Sequence, residues 1–189
     1  MLLQLRQADK DAARLFPWTK QYGPGLGSIG LGFCRKLMPN YYESWTPNNC
    51  WTFAGTGGDG VHFSLLERDG RIRDDSPVVV TQPAGFRSCI VGESLYDFLC
   101  FGVNPIFRAF EIIGPEWEPT KAWGKLFAPR QEEQEVLGFL IDRFRLKPWA
   151  DKKRFRRLQE TFLMELDLPP LAKDFLFLPP YLKKKVTTS

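Results

Sequence analysis

The sequence has few of the residues from which structural metal sites are built. It contains one histidine, His62, and four cysteines, none of them in a Cys-x-x-Cys pair. Structural zinc sites combine several such ligands at short, characteristic spacings. The composition therefore predicts no metal site and no cofactor. We expect the cysteines to be reduced and to pack as small apolar side chains.

Long apolar runs are also missing. No stretch approaches the roughly 20 residues of a membrane-spanning helix, and residues 1–16 lack the apolar segment of a signal peptide. The net charge is only +4, and acidic residues are interspersed among the basic ones, which does not favour a nucleic-acid partner. We expect a cytoplasmic protein that binds neither a membrane nor nucleic acid.

Strand patterns occupy the middle of the chain and helical patterns follow them. Apolar side chains alternate around 51–54 and 61–66, and a β-branched run begins at Val78, whereas 92–102 and 130–166 have helical spacing. Strands followed by helices indicate an α+β fold rather than a wound βαβ fold. We predict a single domain with a curved antiparallel sheet, helices packed on one side and a C-terminal helical hairpin. Its predicted parts are a core at 29–113, a helical appendage at 130–166 and an extended tail at 167–189.

Glycines crowd the segment "GTGGDG", which precedes the strand pattern at 61–66. A phosphate-binding loop of the Walker or Rossmann type is followed by a helix, because the helix N-terminus faces the phosphate. A strand follows here instead, so the segment is predicted to connect two strands, where glycines usually mark a bulge or a left-handed turn.

A catalytic interpretation rests on His62, Ser64 and Asp59. His62 and Ser64 are two residues apart on one predicted strand, so their side chains share a face, and a nearby acid could orient the imidazole. No Gly-x-Ser-x-Gly elbow accompanies them. The hydrolase alternative therefore requires a hydrogen bond between His62 and Ser64 and a third group on the imidazole.

Two further clusters allow more than one interpretation. The basic run "KKRFRR" at 152–157 is predicted to place Phe155 inward and its charges in solvent, with an acidic partner as the alternative. Four aromatic residues concentrate before and within the first strand pattern, either as core or as an exposed groove. They are Tyr41, Tyr42, Trp45 and Trp51.

The block "TFAGTGGDGVHFSLLERDGRIRDDSPVVVTQP", followed by "IVGESLYDFLCFG", resembles the SUKH superfamily of Syd, US22 and Knr homologues. The resemblance covers about residues 51–102 and combines a glycine turn, an Asp-Gly hairpin and a Gly-Glu-x-Leu-x-x-Phe-Leu helix. It implies a curved antiparallel sheet, with Phe98 and Leu99 in the helix core. It also implies that Gly57, Gly58, Asp59 and Gly60 form the turn between two strands, where glycine permits positive φ and Asp59 caps the turn. For many members it implies a bacterial immunity protein that neutralises a toxin domain by binding it. No catalytic residue carries over.

A toxin that is a basic nuclease would favour acidic contact sites. The candidates lie in "ERDGRIRDD" and "RQEEQEV". They are Asp74, Asp75, Glu132, Glu133 and Glu135. A regulatory scaffold is the remaining alternative, with the predicted helical hairpin exposing Leu137 or Phe139 to dock a partner or form a homodimer.

Overall fold

The computed structural model describes residues 1–17, 23–85, 87–104, 106–112, 128–151 and 153–174, which form a sheet and several helices. No helix within these residues is long and apolar enough to cross a membrane. The strands are β1 (Gly32–Pro39), β2 (Cys50–Gly55), β3 (His62–Leu66), β4 (Val78–Gln82) and β5 (Arg87–Gly92). The helices are α1 (Leu2–Leu15), α2 (Leu95–Gly102), α3 (Gln131–Phe144), α4 (Arg154–Phe162) and α5 (Pro170–Asp174). Short 3-10 turns cover Gly25–Ile29, Pro83–Gly85, Phe107–Glu111 and Leu163–Glu165.

The sheet is an antiparallel meander in which the spatial order of the strands follows the chain from β1 to β5. The predicted α+β class with an antiparallel sheet is therefore confirmed. Asp69 and Gly70 form the predicted tight turn, with φ of 53° and 68°, between the paired residues Arg68 and Arg71. The sequence patterns located β2, β3 and β4 but did not identify β1 or β5.

One face of the sheet carries the main core. Phe53, Phe63 and Val80 point to this face, where α2 lays Phe98 against Phe63 at a ring distance of 4.9 Å. Ser94 begins α2 by accepting a hydrogen bond from the Asp97 amide. Helices α1 and α3 extend the same core, to which α1 contributes Leu5. This core holds the glycine hairpin and β1 in place.

The opposite face of the sheet is covered as well. Leu66, Val79 and Ile90 pack with Leu158 of α4 and with Leu168, which precedes α5. The structure thus corrects the prediction that the helices lie on one side only. Alternation along β3 was predicted correctly, because Phe63 and Leu66 belong to the two different cores.

Helices α3 and α4 do not form the predicted hairpin. α3 packs against α1 and the Gly25–Ile29 turn, whereas α4 packs against β5. Between them Trp149 stacks on Phe101 at 4.2 Å, where the chain passes from one face of the sheet to the other. The helical spacing predicted both helices correctly, but it carried no information about which surface each apolar stripe would meet.

The segment predicted to be an appendage is part of the body. Val136, Leu140 and Phe155 are buried in the main core, so α3 and α4 pack as core elements. α1, which precedes the predicted core range, also contributes to it through Leu5 and Ala12. The predicted tail is helical at Pro170–Asp174 rather than extended. Residues 175–189 lie outside the described residues.

Candidate functional site

The glycine segment forms the hairpin loop that joins β2 to β3. Gly57, Asp59 and Gly60 have φ of 89°, 47° and 71°, in the left-handed region that glycine enters without a steric penalty. A Cβ atom on Gly60 would also lie 2.9 Å from the Tyr42 ring. The predicted role of this segment as a connection between strands agrees with its conformation.

Backbone hydrogen bonds close this loop. The Thr56 amide donates to the Val61 carbonyl at 3.0 Å, and the Val61 amide donates to the Gly58 carbonyl at 3.1 Å. Among the described residues the Asp59 side chain makes no hydrogen bond to the turn, so the predicted cap is wrong. The Thr56 hydroxyl instead accepts a long contact, 3.4 Å, from the Gly58 amide.

His62 links the hairpin loop to the segment that follows β1. Its Nδ1 lies 2.7 Å from the Gly60 carbonyl, which can only accept, so Nδ1 carries the proton. Nε2 of the neutral ring then accepts from the Thr46 hydroxyl at 2.9 Å. The Thr46 oxygen in turn accepts from the Tyr42 amide at 2.9 Å. The imidazole therefore positions the glycine loop and the tyrosine segment relative to each other.

Burial keeps His62 neutral. The side chain is fully buried, and desolvation lowers its pKa to about 4, against an opposing hydrogen bond to the Gly60 carbonyl. Ser64 bonds the Thr52 hydroxyl at 2.9 Å rather than the imidazole. Both imidazole nitrogens are occupied by Gly60 and Thr46, so no acid orients the ring. The geometry that the hydrolase alternative requires is not formed by these residues.

Polar side chains line the His62 end of the second sheet face. Besides the Thr52–Ser64 pair, Thr81 and Ser88 lie at a hydroxyl distance of 3.2 Å, and all four residues are buried. Cross-strand hydroxyl pairs satisfy polar groups that would be costly to bury alone. This layer adjoins His62, whose paired residue on β4 is Thr81.

The hairpin loop forms one wall of a surface hollow of about 680 Å³. The opposite wall is the edge strand β1 with the segment after it, and the volume lies within the range typical of ligand pockets. Tyr41 and Tyr42 line the hollow, are exposed, and contact His62 at ring distances of 5.1 and 5.7 Å. The sequence left open whether these aromatic residues form core or an exposed groove. The two tyrosines line the groove. Trp45 instead packs against the apolar cluster on the opposite face of the sheet, which includes Leu66 and Val79.

The β1 side of the hollow is basic. The register of β1 against β2 jumps between Phe33 and Met38, and the bulge between them carries Arg35 and Lys36, both exposed at the hollow. The Arg6 guanidinium donates to the Arg35 carbonyl at 2.8 Å and fixes the bulge to α1. A bulge redirects side chains at the edge of a sheet, which is its effect here.

The four cysteines are free thiols, and no described residues form a cluster of three or more metal-ligating side chains. Cys50, Cys89 and Cys100 are buried, as expected for small apolar side chains. Cys34 differs, because it is half-buried in the wall of the hollow. Partial burial raises the pKa of its thiol, with Arg6 acting in the opposite direction.

Glu133 is not available to a partner, in contrast to its predicted contact role. It is buried, and its carboxylate binds the Arg108 guanidinium at 2.6 Å and the Arg130 amide at 2.8 Å. It therefore caps α3 and ties this helix to the Phe107–Glu111 turn. The other predicted contact residues are exposed. They are Asp74, Asp75, Glu132 and Glu135.

These exposed acids do not form one patch. Asp74 contacts the Met1 nitrogen at 2.8 Å, before the start of α1, which is about 21 Å long. Beyond the other end of α1, Phe16 packs against Phe139 of α3. Glu132 and Glu135 lie still further along, near the N-terminus of α3. The two acidic sets therefore lie beyond opposite ends of α1, and none of these acids is among the lining residues of the hollow.

The apolar stripe on α3 is covered. Leu137 is buried, and Phe139 is half-buried against the Phe16 ring at 6.0 Å. The scaffold alternative predicted this stripe to be exposed, and it is not. On α4, Phe155 points inward as predicted, and Arg154 pairs with Asp97 at 2.8 Å. Lys152 of the basic run lies outside the described residues.

A scan against protein-family models and searches of curated proteins and of solved structures found no match to this chain.

Proposed function

We propose that this chain is a non-enzymatic binding protein, a cytoplasmic bacterial immunity protein that neutralises a toxin domain by direct contact. The observation that carries the proposal is the hollow beside β1, where Tyr41 and Tyr42 are exposed next to Arg35 and Lys36. Tyrosine and arginine are enriched at protein interfaces, because they combine a large apolar area with polar groups.

The SUKH-like block supports the same proposal. Residues 51–102 supply β2 to β5 and α2, the contiguous unit that presents the glycine hairpin. The one histidine of the chain also has a structural role in this unit, because His62 holds the two walls of the hollow together. A rigid, preorganised surface favours tight binding, since little side-chain entropy is lost on association.

Co-expression with the product of the neighbouring gene tests the proposal. We expect that product to arrest growth when expressed alone and to be harmless when this protein is present. The two proteins should also co-elute as a complex in size-exclusion chromatography. An empty vector and an unrelated basic protein of similar size control for expression load and for charge.

Two results would contradict the proposal. Growth arrest that persists despite abundant, folded protein would exclude neutralisation of that product. Rescue without a complex would exclude direct binding and would favour an indirect or enzymatic activity.

A further inference from the structure

We propose that the hollow between the glycine hairpin and β1 docks an extended acidic segment of the protein partner. One large apolar side chain of that segment would sit on the aromatic floor, with acidic residues beside it. This inference rests on the proposed function, because it names the contact surface and the chemistry of the partner.

The floor of the hollow suits an apolar side chain. Phe33 and Met38 are half-buried there, and Tyr41 and Tyr42 stand exposed beside them. Phe33 contacts Phe53 of the main core at a ring distance of 6.3 Å, so the floor of the hollow packs against the core. A partner side chain on this floor would remove apolar surface from water at both contact faces.

The charged side chains around the hollow favour a partner segment of one charge. Among the described residues of the lining, Arg35 and Lys36 are exposed on the β1 side and Asp59 on the hairpin is the acidic group, whereas the Glu111 carboxylate lies close to Gly58 without lining the hollow. Two cations against one anion favour a negatively charged segment. The Arg6 bond to the Arg35 carbonyl holds the bulge in a defined position before any partner arrives.

The geometry of β1 favours docking through side chains over addition of a strand. A bulge between Phe33 and Met38 interrupts the regular ladder, and a lysine stands on it. Bulges and edge lysines are features that disfavour pairing with another strand. The partner segment is therefore expected to be read by its charges and by its apolar side chain.

A charge-reversal pair and a matched control test this surface. The test variant is Arg35→Glu with Lys36→Glu. The control is Arg71→Glu with Arg73→Glu, which makes the same charge change at the far end of β3. Both pairs are exposed, so both variants should fold, which a denaturation curve verifies.

The probes are a peptide of sequence Asp-Glu-Phe-Asp-Glu and its counterpart Lys-Lys-Phe-Lys-Lys, with inorganic phosphate and a single-stranded oligonucleotide as alternative anions. Binding in the hollow is followed by the NMR chemical shifts of the loop amides at 56–61. Alkylation of Cys34 is a second readout, because the other cysteines are buried. We expect the acidic peptide to shift these amides and slow alkylation. The Arg35→Glu/Lys36→Glu variant should weaken its binding by about tenfold and the control by less than twofold.

Equal binding of the two peptides, or equal loss in the two variants, would overturn the inference. Phosphate or the oligonucleotide acting as well as the acidic peptide would overturn it too, in favour of a general anion site. If the toxin complex forms with wild-type protein and survives in Arg35→Glu/Lys36→Glu, the hollow is excluded while the immunity function stands. If wild-type protein forms no toxin complex, the proposed function fails, whatever the peptides do.

Discussion

The two edges of the sheet meet the same physical problem in different ways. At β5, the fully buried Gln159 of α4 accepts from the Ile90 amide at 3.0 Å and donates to the Ile90 carbonyl at 2.6 Å. At β1, a bulge breaks the ladder and presents Arg35 and Lys36 to solvent. An edge strand carries unpaired backbone groups that invite another chain. At β5, Gln159 satisfies the outward amide and carbonyl of Ile90, whereas the β1 edge presents exposed Arg35 and Lys36 and adjoins the hollow.

This contrast assigns the two edges different roles: the buried groups at β5 stabilise the fold, and the exposed groups at β1 are available to bind another molecule. Groups sealed at β5 are buried, so removing a partner there leaves costly unpaired polar atoms. Groups at β1 are exposed, so changing them alters contacts with other molecules more than it alters folding. The predictions below use this difference, from the largest expected effect to the smallest.

The largest effect is expected at the sealed edge. Replacing Gln159 with Ala leaves the Ile90 amide and carbonyl without their partner in a buried site. We expect a loss of about 4 kcal/mol in the free energy of unfolding, measured by urea denaturation. Thr161→Ala, on the exposed side of α4, is the control and should cost less than about 0.5 kcal/mol. A Gln159→Ala variant as stable as the control would show that the two hydrogen bonds from Gln159 to Ile90 do not stabilise the fold.

A pH effect of about 3 kcal/mol is expected from His62. Burial lowers the pKa of the folded imidazole to about 4, below its unfolded value of 6.5. The unfolded state thus takes up the proton first, and stability falls as the pH drops from about 6.5 to 4. Burial raises the pKa of Asp9 and Asp97, and these two groups therefore increase stability as the pH falls.

A His62→Asn variant isolates the histidine effect. Its stability deficit at pH 7 should shrink toward pH 4, and a constant deficit would contradict this account.

Two glycines of the hairpin loop provide a matched pair with a smaller effect. Gly57→Ala meets no atom within 4 Å, so it carries only the strain of positive φ, about 1 kcal/mol. Gly60→Ala adds a collision with the Tyr42 ring and should cost about 2 kcal/mol. Thermal denaturation measures both losses, and amide shifts at 41–46 should follow only Gly60→Ala. Equal effects would mean that Tyr42 does not rest on the loop.

The smallest effect on folding is expected at the exposed edge. Arg35→Glu with Lys36→Glu should change the free energy of unfolding by less than about 0.5 kcal/mol, since both side chains are exposed. A loss comparable to that of Gln159→Ala would show that this edge supports the fold as strongly as β5 does, and the contrast between the edges would fail.

The sequence predicted the elements whose patterns are regular. Alternation at β3, the β-branched run at β4 and the helical spacing at 92–102 are local signals, and they located their elements correctly. β1 was missed because its bulge removes the alternation between Phe33 and Met38. β5 was missed because its short run ends at Gly92, where a helical pattern takes over.

The site was less predictable, because its parts come from distant segments. In the sequence, Glu133 is one of several acids in the first turn of a predicted helix. Its ion pair with Arg108 forms only in the folded chain, because the two residues come from distant segments. His62 reads as a catalytic candidate until Thr46 and Gly60 are seen to occupy both nitrogens. The aromatic concentration at Tyr41 and Tyr42 was compatible with core or with an exposed groove, and the structure places both tyrosines at the hollow. Their exposure depends on packing that no local pattern encodes.

Hydrogen exchange, with and without the product of the neighbouring gene, tests the central claim most directly. We predict that β5 amides exchange slowly in both states. Amides at 33–42 and 55–61 should exchange quickly in the free protein and slowly in the complex. Slowing confined to Asp74, Asp75 and the α3 N-terminus would place the partner on the acidic sets and contradict the account of the hollow. No slowing anywhere would contradict binding itself.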